Sequence, residues 1–136
     1  MSHSSQENAA QIISRVRTIS ESVAILLDTR GPEVRTTEVK ESIDFKVGDK
    51  VVLSGEFGLT TKEIIRVNYP GFVRAMEIDS EILVNDGRIH LRVDVVEPTQ
   101  LHCSVTVGGQ LGSKKGVNVP GVRLPMPFLS EQDISD

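Results

Sequence analysis

The chain has 136 residues, of which 38% are hydrophobic and 25% charged, and a formal net charge of −4. That length holds one ordinary domain of roughly 100 residues and little besides, which excludes a complete large enzyme. The apolar share can offset chain entropy, so disorder is not expected. The acidic balance supplies no broad cationic field for nucleic acid or for an anionic membrane surface, so any recognition of phosphate must be local.

Residues 4–20 read as an amphipathic helix, because Ala9, Ile12, Ile13, Val16 and Ile19 recur at helical spacing. Ser4 and Glu7 form a capping box at its start. The period then changes. Residues 23–27 (VAILL) are a short continuous apolar run ending in Asp28 and Thr29, the pattern of a strand buried on both faces of a parallel sheet. No partner strand for such a sheet is visible in the rest of the chain.

After Gly31 and Pro32 the texture becomes all-β, with alternating runs at 34–36, 50–53, 64–67, 81–84, 88–93 and 101–107. Lys46, Val47, Gly48 and Asp49 form a turn that leads into the second of these. Asn85, Asp86 and Gly87 separate Ile82 and Val84 from Ile89, Leu91 and Val93, so inward residues match across a hairpin. Short strands at this spacing predict a mainly β fold, a small closed antiparallel β-barrel. Ser130 and Asp133 announce a further helix that the remaining residues are too few to form.

Cys103, the only cysteine, alternates with apolar Leu101 and Val105 and reads as a buried structural thiol. With one cysteine there is no internal disulfide, which fits a reducing compartment. No apolar stretch reaches the roughly 20 residues of a membrane span, and the polar start lacks the apolar core of a signal peptide, so a cytoplasmic location is expected. His90 and His102 read as strand-packing or surface residues, since neither has a second ligand at metal spacing. Glu77, Asp79 and Glu81 read as a solvated strand edge.

Two segments carry chemistry. In DTRGPEVRT, residues 28–36, Asp28 and Thr29 stand where the apolar run would end, and a carboxylate beside hydroxyl and carbonyl oxygens suits a hard cation. Arg35 offers a planar group with five donors, matched to phosphate oxygens. Alternatively the segment is a solvated turn in which Asp28 caps a loop. In GGQLGSKKGVNVPG, residues 108–121, four early glycines loosen the backbone around Lys114 and Lys115, two cations that are either phosphate-recruiting point charges or a solvated pair. It is not a Walker A loop, because Lys115 is followed by Gly116. Asp86 is a turn former in its own right.

These two segments, with LSEQD at residues 129–133, closely resemble in order and separation the junctions of pyruvate kinases, where the lid or B domain joins the (β/α)8 barrel. The resemblance spans nearly the whole chain. It implies a fragment in which 1–31 belongs to the catalytic barrel, 32–126 is the lid and 127–136 begins the next barrel helix. It implies an enzyme of glycolysis that transfers a phosphoryl group from phosphoenolpyruvate to ADP, giving pyruvate and ATP, with magnesium and potassium and with a homotetrameric parent. By resemblance Asp28 and Thr29 are potassium ligands, with Ser2 as a third. Arg35, Lys115, His3 and Asp86 then belong to the nucleotide and phosphate region. Ser2 and His3 match the end of the family's asparagine-x-serine-histidine motif, whose asparagine is missing here, and these residues could also come from an expression tag. Arg30 stands where the family often has lysine. No catalytic residue falls in this chain, so it is expected to be inactive alone and to self-associate through its uncovered strand. The competing class is a stand-alone barrel that binds or docks a partner; its basic, aromatic-rich face is not apparent at 4% aromatic residues.

Overall fold

In the computed structural model, which describes residues 5–26, 32–127 and 134, the chain divides into two compact units, Glu33–Pro125 and the segments on either side of it. The helical spacing near the start gives α1 (Gln6–Ile19). Its N-cap is Ser5, whose hydroxyl accepts the Asn8 N–H at 3.3 Å, one residue later than the Ser4 box expected from the sequence. Arg17, in the last turn, places its cation at the C-terminal end of the helix and donates to the Val23 carbonyl, three residues past the C-cap Ser20, at 2.7 Å. No residue of α1 is buried.

The buried strand expected at residues 23–27 is corrected. Residues 24–26 enter no ladder, Leu26 is 91% exposed, and Leu27 lies outside the described residues. An apolar run becomes a strand only when a neighbour takes up its backbone hydrogen bonds, and no described strand does so.

Within Glu33–Pro125 the alternating runs become strands: β1 (Val34–Arg35), β2 (Ile43–Phe45), β3 (Lys50–Ser54), β4 (Ile64–Arg66), β5 (Glu81–Val84), β6 (Ile89–Val96), β7 (Gln100–Val107), β8 (Gly109–Leu111) and β9 (Gly116–Asn118). Seven of them make one curled sheet in the order β1-β9-β5-β6-β7-β3-β4, and β2 pairs with β8 apart from it. Period-two alternation turns Leu53, Ile82, Val84, Ile89, Leu91, Val93 and Leu101 inward, each with no exposed surface. Phe72 from a 3-10 turn, Ile65 and Leu111 complete this core. Each such side chain contributes about 1.5–3 kcal/mol relative to exposure.

The closed antiparallel barrel is also corrected. The loop 55–63 carries the chain back so that β3 and β4 run parallel, Val52 opposite Ile64, which makes the sheet mixed. The ladder is open between its edge strands β1 and β4, which are too short for a continuous pairing. One isolated bridge, Thr36 to Val67, stitches that seam, with the Thr37 N–H donating to Arg66 O at 2.9 Å and the Asn68 N–H to Arg35 O at 3.0 Å.

The expected turns are present. Asp49 Oδ2 accepts the Lys46 N–H at 2.9 Å, and Gly48 has φ 91°. The β5–β6 hairpin pairs Ile82 with Leu91 and Val84 with Ile89. Its loop is left-handed at Asn85 (φ 55°), Asp86 (φ 55°) and Gly87 (φ 79°), a conformation that Asn, Asp and Gly adopt most readily.

Candidate functional site

Antiparallel pairing of β1 with β9 sets Arg35 opposite Gly116, so two segments far apart in sequence meet at one end of the sheet. In extended backbone, alternate residues share a face, and Glu33 and Arg35 therefore stand together. Arg35 Nε donates to Glu33 Oε2 at 2.8 Å, and Nη1 donates to the Lys114 carbonyl at 3.0 Å. The hydrogen bond to Glu33 holds the guanidinium pKa above its ordinary value, with the charges of Glu33 and Asp86 adding to it against partial desolvation. Two of five donors are thus committed; the other three N–H groups have no partner among the described residues.

The loop carrying the two lysines is fixed by Thr36, which is 2% exposed. Lys115 N–H donates to Thr36 Oγ1 at 2.9 Å, and the Thr36 N–H donates to Lys115 O at 2.8 Å. Lys114, left-handed at φ 55°, sends its ammonium to Glu38 Oε1 at 3.1 Å. The two lysines therefore differ: Lys114 is spent on an internal pair, whereas Lys115 Nζ has no ion-pair partner among the described residues. Its stem passes over Gly112, where an added Cβ would come 3.4 Å from Lys115 Cε.

Asp86 reaches the same place from the hairpin. The Asn85 N–H donates to Gly116 O at 2.9 Å, and Asn85 Nδ2 donates to Gln110 O at 3.0 Å, which tie the turn to the lysine loop. A Cβ at Gly116 would lie 3.1 Å from Asp86 Oδ1, so the glycine leaves room for the carboxylate. Arg35, Lys115 and Asp86, expected from the sequence, are thus brought to one end of the sheet. Ser2, His3, Asp28 and Thr29 lie outside the described residues. Arg35, paired with Glu33 but with N–H donors to spare, and Lys115, without an ion-pair partner among the described residues, place cationic donors at this end of the sheet beside the Asp86 carboxylate. Sequence reading did not single out Glu33, Thr36 and Asn68 as supports; of these, Glu33 was signalled by its place two residues before Arg35.

Cys103 and the two strand histidines are engaged within the fold. Cys103 is buried, and burial pushes its thiol up to about 12. His90 is held by Glu81 Oε1 at 3.0 Å and Gly87 O at 2.9 Å, and His102 by Glu97 Oε1 at 3.1 Å. No group of three or more His, Cys, Asp or Glu is placed to hold a metal among the described residues. A surface groove across β7, from β3 to β6, contains Lys50 and Lys62, but Asp94 and Asp49 pair them at 3.3 and 2.7 Å. No helix among the described residues is long and apolar enough to cross a membrane.

A family model described as pyruvate kinase, barrel domain, matches residues 1–136. The pyruvate kinase of Borreliella burgdorferi is 36% identical over 131 residues, covering 96% of this chain and 27% of its own length. That of Geobacillus stearothermophilus is 39% identical over 142 residues, covering 99% and 24%. Human pyruvate kinase PKLR is 37% identical over 152 residues, covering 99% and 26%. The chain thus spans about a quarter of the length of these relatives. A solved pyruvate kinase from Cryptosporidium parvum superposes with a TM-score of 0.91 over 97% of this chain and 28% of its own, at 26% identity.

Proposed function

The chain belongs to the pyruvate kinase family, and from that premise we propose that it is the active-site lid, with adjoining pieces of catalytic barrel, of an enzyme that moves a phosphoryl group from phosphoenolpyruvate to ADP. In this reading 32–126 is the lid, 1–31 and 127–136 belong to the barrel, and the parent is a cytoplasmic homotetramer of glycolysis. The observation that carries it is the meeting of Arg35, Asp86 and the Lys115 loop at one end of the sheet, on a chain with no general positive field.

Phosphoryl transfer is accelerated by placing cations on the phosphate oxygens and by excluding water around the charge that develops. Arg35 points its uncommitted N–H groups at those oxygens while Glu33 and the Lys114 carbonyl hold its plane. Lys115 adds a point charge on a loop whose backbone Thr36 fixes. Asp86 offsets the repulsion between the two cations when no nucleotide is present; His3 enters only through the family resemblance, which assigns it to the nucleotide region. Potassium is matched by the donor chemistry of Ser2, Asp28 and Thr29, hard oxygen ligands that would hold it at the barrel junction and supply a fixed charge. Magnesium finds no such cluster among the described residues.

Two measurements test the reading. The 136-residue chain, given phosphoenolpyruvate, ADP, magnesium and potassium, is expected to show no turnover above a matched blank; turnover would defeat its assignment as a lid. In the longer protein, Lys115→Ala is expected to lower kcat/KM for ADP by about tenfold or more, since a charge-assisted contact is worth about 1.5–3 kcal/mol and each 1.36 kcal/mol is a factor of ten. The melting temperature should barely move. Unchanged ADP kinetics would make Lys115 a solvated turn residue.

A further inference from the structure

Arg35 can present its free donors in a fixed direction only if its backbone is held, and on the seam side it has no continuous strand beside it. Asn68 takes that strand's place. Its Oδ1 accepts the Arg35 N–H at 2.9 Å, its own N–H donates to Arg35 O at 3.0 Å, and its Nδ2 donates to Glu33 O at 3.3 Å. A side-chain amide offers the same donor and acceptor as a peptide group, so one residue supplies three bonds of a ladder to residues 33–35. This fastens the backbone of both Glu33 and Arg35, whose side chains then meet at 2.8 Å.

The next residue acts on the other crossing. Tyr69 Oη donates to the Pro125 carbonyl at 3.2 Å, the last residue of the compact unit. Its ring lies against Gly71, where an added Cβ would come within 2.7 Å of Tyr69 Cζ and Oη. Only the missing side chain at position 71 lets the ring lie there.

We propose that Asn68 is a positioning residue for Arg35 and that Asn68 and Tyr69 together clamp both segments by which the chain enters and leaves the compact unit. The positioning role rests on the reading of Arg35 as a phosphate contact; the clamp itself does not. Lys115 is outside its reach, because Thr36 holds that backbone independently.

The test uses the 136-residue chain, with amide exchange and a titration with magnesium ADP both followed by NMR. Asn68→Ala is expected to speed exchange of the Arg35 amide about tenfold and to weaken the ADP dissociation constant read at Arg35 Nε about fivefold, as loss of roughly one hydrogen bond's net worth implies. Amides of β6 and β7 should keep their protection, which certifies the fold. Asn68→Asp, which keeps the acceptor for Arg35 N–H and loses the donor to Glu33 O, should restore the Arg35 amide. Tyr69→Phe should leave Arg35 unchanged and hasten tryptic cleavage after Arg123. Unaltered Arg35 exchange in Asn68→Ala overturns the clamp. Altered exchange with unaltered ADP affinity overturns the positioning role alone. A wild-type chain without ADP-dependent shifts at Arg35 overturns the nucleotide reading instead, and exchange still decides the clamp.

Discussion

α1 and β6 both carry apolar residues at the spacing of a single face, yet they end differently. Ile89, Leu91 and Val93 of β6 have no exposed surface, whereas Ile19 of α1 is 87% exposed and no residue of that helix is buried. Patterning decides which face of an element is apolar; it does not provide the second surface that face must cover. In β6 the second surface comes from the same sheet, which curls so that inward residues of neighbouring strands meet. Within α1 no residue is buried.

The strongest way to sharpen the contrast is truncation in each region. Leu91→Ala should destabilise the β unit by about 2–5 kcal/mol in urea unfolding, from lost transfer energy plus a residual cavity. A cost under about 1 kcal/mol would mean that this core is loosely packed. Next in size is an alkaline effect confined to the β unit. The Cys103 thiol, raised from 9.0 to about 12 by burial with the Asp94 charge adding to it, stays neutral in the fold after the unfolded chain has ionised. Its contribution is complete below pH 9 and is lost as pH rises toward 12. The urea midpoint should therefore fall over that window, and Cys103→Ala should lose that part of the fall; an unaltered slope would place the thiol in water. The smallest expected effect is in the helix, where Ile19→Ser should change stability by no more than about 0.5 kcal/mol. Its visible consequence is association instead. Light scattering over a concentration series should show the wild-type chain self-associating and Ile19→Ser with Leu26→Ser doing so less, and a strict wild-type monomer would contradict this.

Much of the β unit was legible because its longer strands keep strict alternation. The β5–β6 register followed from Ile82, Val84, Ile89 and Leu91 around a turn whose residues tolerate left-handed backbone. The shortest strands were not legible. Ile43 to Phe45 and Gly109 to Leu111 hold too few residues to show a period, and their pairing depends on a contact between segments far apart in sequence. Parallel pairing of β3 with β4 was equally hidden, since alternation reads the same in either direction. At the site, local chemistry marked Arg35 and the lysine pair, and resemblance named their neighbours. That Lys114 is neutralised by Glu38 while Lys115 is not could be seen only once Lys114 took its left-handed backbone.

The pairing of β1 with β9 has one more consequence. The first and last strands of the β unit are hydrogen-bonded neighbours, Val34 opposite Val117, so the chain enters the first strand and leaves the last about one strand spacing apart, roughly 5 Å. A unit with that geometry can be spliced into a loop of another fold without prying the host open, and its own ends can be joined and the chain cut elsewhere.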